Sequence, residues 1–522
     1  MSSCNFLLFV ALFVLHAAFA FAAGASSRPN VVLIYTDDQG YGDMSALNPR
    51  SKFQTPHMDR LAREGLVFTD GHCADTVCTP SRYALLTGRY AWRTSLKSGV
   101  LHAEDPCLIE KGRLTIASLL EAQGYHTAMF GKWHLGMEVP GEVGQRDWSQ
   151  PIADGPNAHG FTTFYGIPAS MNYGVLTFIE NTRVTDPPSV WTRKKPEPKN
   201  GTFRFMPPYE NAPQGDADIE IAPSFRDDIC LGRFTEKTVK YIDRVASEAK
   251  AGKPFFVYFA LNSPHLPHSP AREFVGRSAI GTYGDFMMET DHRVGEVLAA
   301  LDRNGLAENT LVILSSDNGS ESNYVERLQR YGHASNGDLK GGKRDIYEGG
   351  HRVPFVARWP AVIAKGRQFS EPVCQTDIIA TLADILGVKM PANAAEDSFS
   401  LMPAFRGTPS PSTSRAVIHH SGSGHFAIRE GRWKLNLFRG SGGSLAPKQI
   451  TPKGKEPPFE LYDMQTDWRE TTNVHDKHPE VVARLRLAAA RIVRQGRSTP
   501  GAAQSNDESQ PWPQLAWLPA KP

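Results

Sequence analysis

Four short runs of apolar, β-branched and aromatic residues break directly into polar residues capable of chemistry, and this pattern constrains the fold more than any other feature of the chain. Asn30–Tyr35 runs into Asp37-Asp38-Gln39-Gly40, and His126–Phe130 into Gly131-Lys132-Trp133-His134. Pro254–Leu261 runs into Asn262-Ser263-Pro264-His265, and Thr310–Ser315 into Asp317-Asn318-Gly319. Such unbroken apolar runs read as strands buried on both faces, as in a parallel sheet covered by helices. The segments between them fit crossover helices: Thr115 to Gln123 and Phe286 to Asn304 have helical spacing, with Gly124 and Gly305 placed where each would stop. Open sheets of this class bind ligands at the carboxyl ends of their strands. Four separate segments are therefore expected to bring carboxylates, lysine, histidine and amide to one edge, although the strand order is not readable.

The alternation of strand-like and helix-like segments extends from Arg28 to Arg406, so residues 28–406 are expected to form a large α/β domain, a mostly parallel sheet flanked by helices. A chain of 522 residues is too long for one compact core and leaves room for a second unit. Residues 172–224, rich in Pro and Gly and including the basic run Arg193–Lys199, read as a long surface excursion near the sheet edge. From Gly407 to Ser414 the composition turns to that of a linker. Residues 415–522 are expected to form a smaller α+β domain. Its short antiparallel strands would lie at Val417–His420, Phe426–Arg429, Trp433–Leu437 and Phe459–Asp463, with an amphipathic helix at Pro479–Gln495 and a loosely held tail from Thr499. No internal repeat is present.

Lys and Arg total 57 against 55 Asp and Glu, which gives no reason to expect nucleic acid or an acidic membrane as partner. Phe6 to Ala23 is almost wholly apolar and ends in small residues, with Ala18-Phe19-Ala20 and Ala20-Phe21-Ala22 both suiting signal peptidase. Residues 1–23 therefore read as a signal peptide and the protein as secreted, periplasmic or otherwise exported; the lack of a basic residue before Phe6 leaves a retained N-terminal anchor as the alternative. No later segment is expected to insert stably in a membrane. Cys4 would leave with the signal, and Cys73, Cys107, Cys230 and Cys374 allow three disulfide pairings or free thiols.

Cys78-Thr79-Pro80-Ser81-Arg82 leads into Tyr83–Gly88, and Pro80 suits a first helical turn. Cys78 then stands at a helix N-terminus, where backbone N–H groups favour an anion, and Arg82 one turn on supplies a fork for a tetrahedral oxyanion. Asp37, Asp38, Asp317 and Asn318 offer oxygen ligands from two strand ends, which suit a hard divalent cation better than zinc. Lys132 and His134, two residues apart, can face the same way in an extended turn.

The run Cys-x-Pro-Ser-Arg-x-x-x-Leu-Thr-Gly from Cys78 to Gly88 resembles the signature of type I, formylglycine-dependent sulfatases, which share the alkaline phosphatase-like fold. The resemblance extends over Asp37–Gly40, Gly131–Gly136, Ser263–His265, Asp317–Gly319, Gly342-Lys343 and Tyr347–Gly350. It implies sulfate ester hydrolysis to alcohol and inorganic sulfate, with Cys78 oxidised to formylglycine by a generating enzyme during maturation. It further implies a calcium ion, magnesium being the second option, held by Asp37, Asp38, Asp317, Asn318 and the converted residue 78. Arg82 and Lys132 would hold the sulfate, His265 and Lys343 would serve the leaving oxygen, and His134 would take the proton that returns the aldehyde. Ser170 matches a sulfate-contacting serine of some relatives, although Asn172 stands where they often carry Asp. His268 is expected to be loop structure or pocket lining.

The expected substrate is a sulfated small molecule or carbohydrate, with sulfated polysaccharide favoured by export and the long loop. A broad arylsulfatase and a phosphate or phosphonate ester hydrolase are the alternatives. The second usually needs Ser or Thr and two zinc ions, and no second cluster of His and carboxylate ligands is evident. A non-catalytic carbohydrate-binding relative would have lost motif residues, and none is lost.

Overall fold

The computed structural model of the chain describes residues 28–520 apart from 194–206, 208, 210, 214–218, 410–414, 455 and 457. The signal segment, the linker residues 410–414 and all of the basic run after Arg193 lie outside the described residues.

The four expected strands form the centre of a ten-stranded sheet, in the spatial order Thr310–Ser316, Asn30–Asp37, Phe255–Pro264, His126–Lys132. These four, with Thr163–Ile167 next in line, are mutually parallel. Beyond Thr310–Ser316 the sheet continues through the antiparallel neighbours Phe355–Arg358 and Leu66–Phe68, and ends in Arg367–Phe369. The far edge carries the two-residue strands Ile179–Glu180 and Arg183–Val184. The sheet is thus mixed, with a parallel core.

Alternation along each central strand feeds two cores. Val32, Ile34, Val257, Phe259, Val312 and Leu314 point to one face, where the helices Cys230–Lys250 and Thr282–Arg303 cover them. Val31, Leu33, Phe256, Tyr258, Leu311 and Ile313 point to the other, under Cys78–Thr87, Ile116–Ala122 and Asp377–Leu386. Burial on both faces is why these strands read as continuous apolar runs. The expected helices are present: Ile116–Ala122 begins at Thr115, whose hydroxyl accepts from Ser118 N, and the left-handed Gly124 and Gly305 follow the two helix ends.

Two expectations are corrected. Residues 172–224 are more than a surface excursion: Val175–Leu176, Ile219–Ile221 and Val190–Thr192 make a three-stranded sheet, and Leu176, Phe178, Ile219 and Ile221 are buried in the first core. Strands of two or three residues carry too little periodicity to register in a sequence. The tail after Thr499 is not loose. Arg93 donates to Asn506, Lys97 to the carbonyl of Asp507, and Trp512 and Trp517 pack on Phe426. Buried aromatic area supplies the holding force that its Pro-rich composition hides.

The C-terminal unit is an antiparallel sheet of Ala416–His420, Phe426–Glu430, Trp433–Asn436 and Glu460–Asp463 in sequence order. The helix Pro479–Gln495 lays Val482, Leu485, Ala489 and Val493 on Val417, Ile428 and Leu435. The same cluster takes in Ala74, Tyr90 and Trp92, so this sheet braces the chain on either side of Cys78. No helix among the described residues is long and apolar enough to cross a membrane.

Candidate active site

The ends of the central strands converge on a buried set of charges. Lys132 Nζ lies 2.7 Å from Asp37 Oδ2, and Lys343 Nζ 2.7 Å from Asp38 Oδ1. Arg82 donates from Nη2 and Nε to Asp317 Oδ2 at 2.8 and 3.1 Å, and its Nη2 is 3.7 Å from Asp37 Oδ1. Cys78 Sγ sits 3.5 Å from Asp37 Oδ1, and His265 Nε2 3.8 Å from Asp38 Oδ2. All of these side chains are buried.

Local backbone explains how they meet. Cys78 opens the helix Cys78–Thr87 after an extended Val77 that places no side-chain cap on the first turn. The amide groups there are left for an anion, and the helix dipole favours one. Gly131 is needed just before Lys132: a Cβ at this left-handed residue would stand 1.8 Å from the carbonyl oxygen of Ala260 on the neighbouring strand. Asp38, His134 and Arg344 adopt positive φ without being glycine, at 67°, 58° and 79°. Strain of this kind costs about 1–3 kcal/mol per residue and persists where the surroundings fix a working geometry.

Electrostatics sort the groups by role. Burial works against the charge on Lys343, yet Asp38, followed by Cys78 and Glu321, holds its pKa well above the usual lysine value. Burial also opposes ionisation of Asp38, but Lys343 and His265 keep its carboxyl below the ordinary range. Burial, with Lys343 second, pulls His265 down to about 3. His134 is held well below the usual histidine value by burial, then by Lys132 and Arg82. Its Nε2 donates to the carbonyl of Leu101 at 2.9 Å, since a carbonyl can only accept, which leaves Nδ1 as a buried lone pair without a partner. Burial and then Asp317 push the Cys78 thiol up, so the unmodified side chain is held as a neutral thiol.

The donor set suits a hard divalent cation. Asp37, Asp38, Cys78 and His265 each present a ligand-type atom within 4.8 Å of the others. The Asn318 amide donates to Asp38 Oδ1 at 2.7 Å and to the carbonyl of Gly319 at 2.9 Å, whereas its Oδ1 is buried without a hydrogen-bond partner. Three carboxylates beside an orphaned amide oxygen make the oxygen-rich environment that calcium or magnesium prefers.

Ser170 is buried with its hydroxyl unpartnered, in the turn that carries Tyr173, and no hydrogen bond ties it to Cys78 or the carboxylates. Tyr173 places its ring centroid 5.4 Å from that of His134. His268 packs edge-on against Tyr283, in keeping with a structural residue. Sequence reading missed Glu321, whose carboxylate lies 3.7 Å from Lys343 Nζ and 2.6 Å from Arg344 Nη1. The signal available was faint: an acidic residue shortly after Asp317-Asn318 and a second cation beside Lys343. The five cysteines among the described residues are all free, so none of the pairings left open is formed. A separate cavity of about 810 Å³, lined by Arg50, Asp70, Arg352, Arg429 and Trp468, contains none of the site residues expected from the sequence.

A parallel-cored sheet whose strand ends gather buried cations and carboxylates before a helix N-terminus defines an enzyme for tetrahedral oxyanions. The comparisons give the family. The Sulfatase family model matches residues 29–388, and that of the N-sulphoglucosamine sulphohydrolase C-terminal region matches residues 341–494. N-acetylgalactosamine-6-O-sulfatase of Bacteroides thetaiotaomicron is 32% identical over 88% of this chain and 92% of its own length. Human arylsulfatase A is 34% identical over 90% of this chain and 88% of its own. A solved structure from work on the metabolism of multiple glycosaminoglycans by Bacteroides thetaiotaomicron superposes with a TM-score of 0.75 at 30% identity, over 90% of this chain and 99% of that one. The chain belongs to the sulfatase family, and it is an enzyme that hydrolyses sulfate esters.

Proposed function

We propose that this sulfatase acts on a sulfated carbohydrate, through formylglycine formed from Cys78 and with calcium held by Asp37, Asp38, Asp317 and Asn318. The observation that carries the reading is the placement of Cys78, at an uncapped helix N-terminus 3.5 Å from Asp37 and within the Arg82, Lys132 and Lys343 set. Once bound or formed, these groups supply a charge-neutralising Lewis acid and an oxygen nucleophile at position 78. The chain's own residues do the rest. Arg82 and Lys132 fix the sulfate oxygens against the helix N-terminus and offset the charge that develops there. His265 Nδ1 donates to the carbonyl of Leu266 at 2.6 Å, which leaves Nε2 facing the Asp38–Lys343 pair. From that position the Lys343 ammonium gives the departing oxygen its proton, while His265 Nε2, a lone pair in this tautomer, accepts a hydrogen bond beside it. The unpartnered Nδ1 of His134 is the base that accepts the proton when sulfate leaves residue 78.

A sugar substrate is supported by the names of two relatives, the N-acetylgalactosamine-6-O-sulfatase and the glycosaminoglycan-metabolism structure. Tyr173, His102 and Arg344, part-exposed or exposed beside the buried charges, offer the stacking and ionic contacts that a ring bearing hydroxyls and sulfates needs. Export through the N-terminal segment and maturation by a formylglycine-generating enzyme belong to the same proposal. The test is sulfate release by protein co-expressed with such an enzyme, across sulfated sugars, aryl sulfates and matching phosphate esters, with Cys78→Ala as the blank. Sulfate released from sugars and absent from the blank is expected. Equal turnover by Cys78→Ala would overturn the mechanism, and a preference for aryl sulfates would overturn the substrate class.

A further inference from the structure

The cations gathered at the strand ends leave one of their kind at the surface. The side chains of Lys132 and Arg82 are fully buried and that of Lys343 is 4% exposed, whereas that of Arg344, the next residue, is 42% exposed. The backbone beneath it is nevertheless fixed. Arg344 N donates to the carbonyl of Thr76, two residues before Cys78, and its own carbonyl accepts from Gly422 N, in the turn after the strand Ala416–His420. The Gly422 carbonyl accepts in its turn from Gly99, two residues before the Leu101 carbonyl that holds His134. Arg344 is thus tied directly to the loop before Cys78 and, through Gly422, to the segment that touches His134. Its φ of 79° is one that an arginine rarely adopts, and Gly443 packs so close that a Cβ there would stand 2.3 Å from the Arg344 carbonyl.

The guanidinium is held at one corner only. Its Nη1 donates to Glu321 Oε1 at 2.6 Å, while Nε and Nη2 donate to nothing among the described residues. Against burial, Lys343 and then Arg344 hold the Glu321 carboxyl at about 2, so the clamp stays ionised. Tyr173 faces the same space: burial raises its phenol above the usual value, and the groups that act on it next are Cys78, Lys343, Lys132 and Arg344. Charge decides what suits this mouth. Arg82, Lys132, Lys343 and Arg344 are matched by Asp37, Asp38, Asp317 and Glu321. The divalent cation proposed above adds two positive charges and a sulfate monoester brings one negative, so one positive charge is left over with substrate bound. Arg344 is the one of the four cations that solvent reaches freely. A sugar hydroxyl cannot neutralise it, whereas a carboxylate or a second sulfate can, and a guanidinium fork meets either with parallel N–H···O bonds.

Given the sulfated-carbohydrate reading above, on which this rests, we propose that Arg344, oriented by Glu321, binds a second anionic group of the substrate. The preferred sugar then carries, besides the sulfate to be removed, a carboxylate or another sulfate. The test compares matched pairs on converted, calcium-loaded protein. N-acetylgalactosamine 4,6-disulfate against the 6-sulfate reads a second sulfate, and a sulfated disaccharide bearing a uronic acid against its methyl ester reads a carboxylate. The doubly charged member of one pair should be favoured about 10–100-fold in kcat/KM, the size of hydrogen bonds to a charged group. The preference should lie mainly in KM and shrink with added salt. Arg344→Gln and Arg344→Gly, the second of which takes a φ of 79° without strain, should each largely abolish it, and Arg344→Lys should keep part of it. Equilibrium binding of the same sugars to Cys78→Ala protein, with and without Arg344→Gln, should give matching ratios in the absence of turnover. No preference in the parent for either pair would overturn the proposal. So would a preference retained by both the Gln and the Gly variant, or a loss that weakens both members of a pair alike. Failure of the sugar reading looks different: the parent would then cleave aryl sulfates and neither sugar pair. In that event 4-sulfooxybenzoate against its methyl ester puts the same question to Arg344, and equal turnover of the two would overturn its role.

Discussion

The strand-end site and a second cluster behind it, in which Lys434 meets Glu348, Glu470 and the ring of His351, are both buried, and both set lysine against carboxylates, yet they divide their charges differently. At the strand ends two of the three carboxylates have more than one cation or histidine within reach: Asp37 has Lys132 and, at 3.7 Å, Arg82, and Asp38 has Lys343 and His265, while Asp317 pairs with Arg82. In the rear cluster one ammonium, Lys434, serves both Glu348 and Glu470, with Arg352 Nη1 a further 3.5 Å from Glu348. Redundant cations leave an anion site tolerant of rearrangement while substrate enters and sulfate leaves. An ammonium shared between two buried carboxylates makes a fixed joint. The front should therefore lose activity before stability when a cation is removed, and the rear should lose stability first.

The sharpest way to break that contrast is to remove one lysine from each. Lys434→Met takes the lysine from buried Glu470 and leaves Glu348 with Arg352 at 3.5 Å, and breaking a buried pair in this way typically costs about 3–5 kcal/mol. A matching fall in the urea midpoint is expected, with kcat per folded molecule held within a few-fold. Lys132→Met leaves Asp37 its Arg82 neighbour, so a smaller shift in midpoint is expected. Its kcat should fall by about 10²–10³, as when one oxyanion donor is lost. Equal stability losses in the two variants would erase the distinction.

A smaller effect is expected from His134→Gln, which removes the unpartnered Nδ1 lone pair. Turnover should drop by about 10²-fold or more through loss of the base, while Lys132 and Arg82 still bind sulfate. If residue 78 retains the sulfuryl group, mass spectrometry of its peptide after incubation with substrate should reveal it. A peptide of unchanged mass, together with a raised KM, would make His134 a binding residue instead.

The two regions also differ in how far a sequence reveals them. Apart from Lys343, which only the family resemblance named, every member of the front cluster read from the sequence lies within a few residues of a strand end or in the Cys78 helix, so local pattern and strand-end chemistry were enough to bring Asp37, Lys132, His265 and Asp317 together. Their order across the sheet was not legible, because the length of a crossover does not say which strands it leaves side by side. The rear cluster draws on residues 348, 351, 434 and 470, whose meeting depends on the C-terminal sheet docking against the Cys78 loop. No short-range pattern encodes that docking. The same limit hid Glu321, the small strands between Val175 and Ile221, and the tail, whose Trp512 and Trp517 were the residues to weigh above its prolines.

A third carboxylate tests whether pairing with a cation is what keeps buried charge tolerable in both clusters. Asp291, on the helix Thr282–Arg303, is buried but met by backbone N–H groups, those of His57 and Met58 at the start of the helix Pro56–Glu64. Burial pushes its pKa up to about 7 despite those hydrogen bonds, against about 3.9 in an unfolded chain. Between those values the folded state holds a proton that the unfolded state has released. Its contribution to stability is therefore full below about pH 4 and is lost as the pH rises through about 7. Asp291→Asn keeps an oxygen to accept from the helix N-terminus and cannot ionise. Its urea midpoint should change less than the parent's between about pH 5 and pH 7.5, the difference isolating Asp291 from Glu289, which burial also raises to about 7. Parallel midpoints would mean that two backbone amides hold a buried carboxylate ionised as well as a lysine does, and the contrast between the charge clusters would then rest on geometry alone.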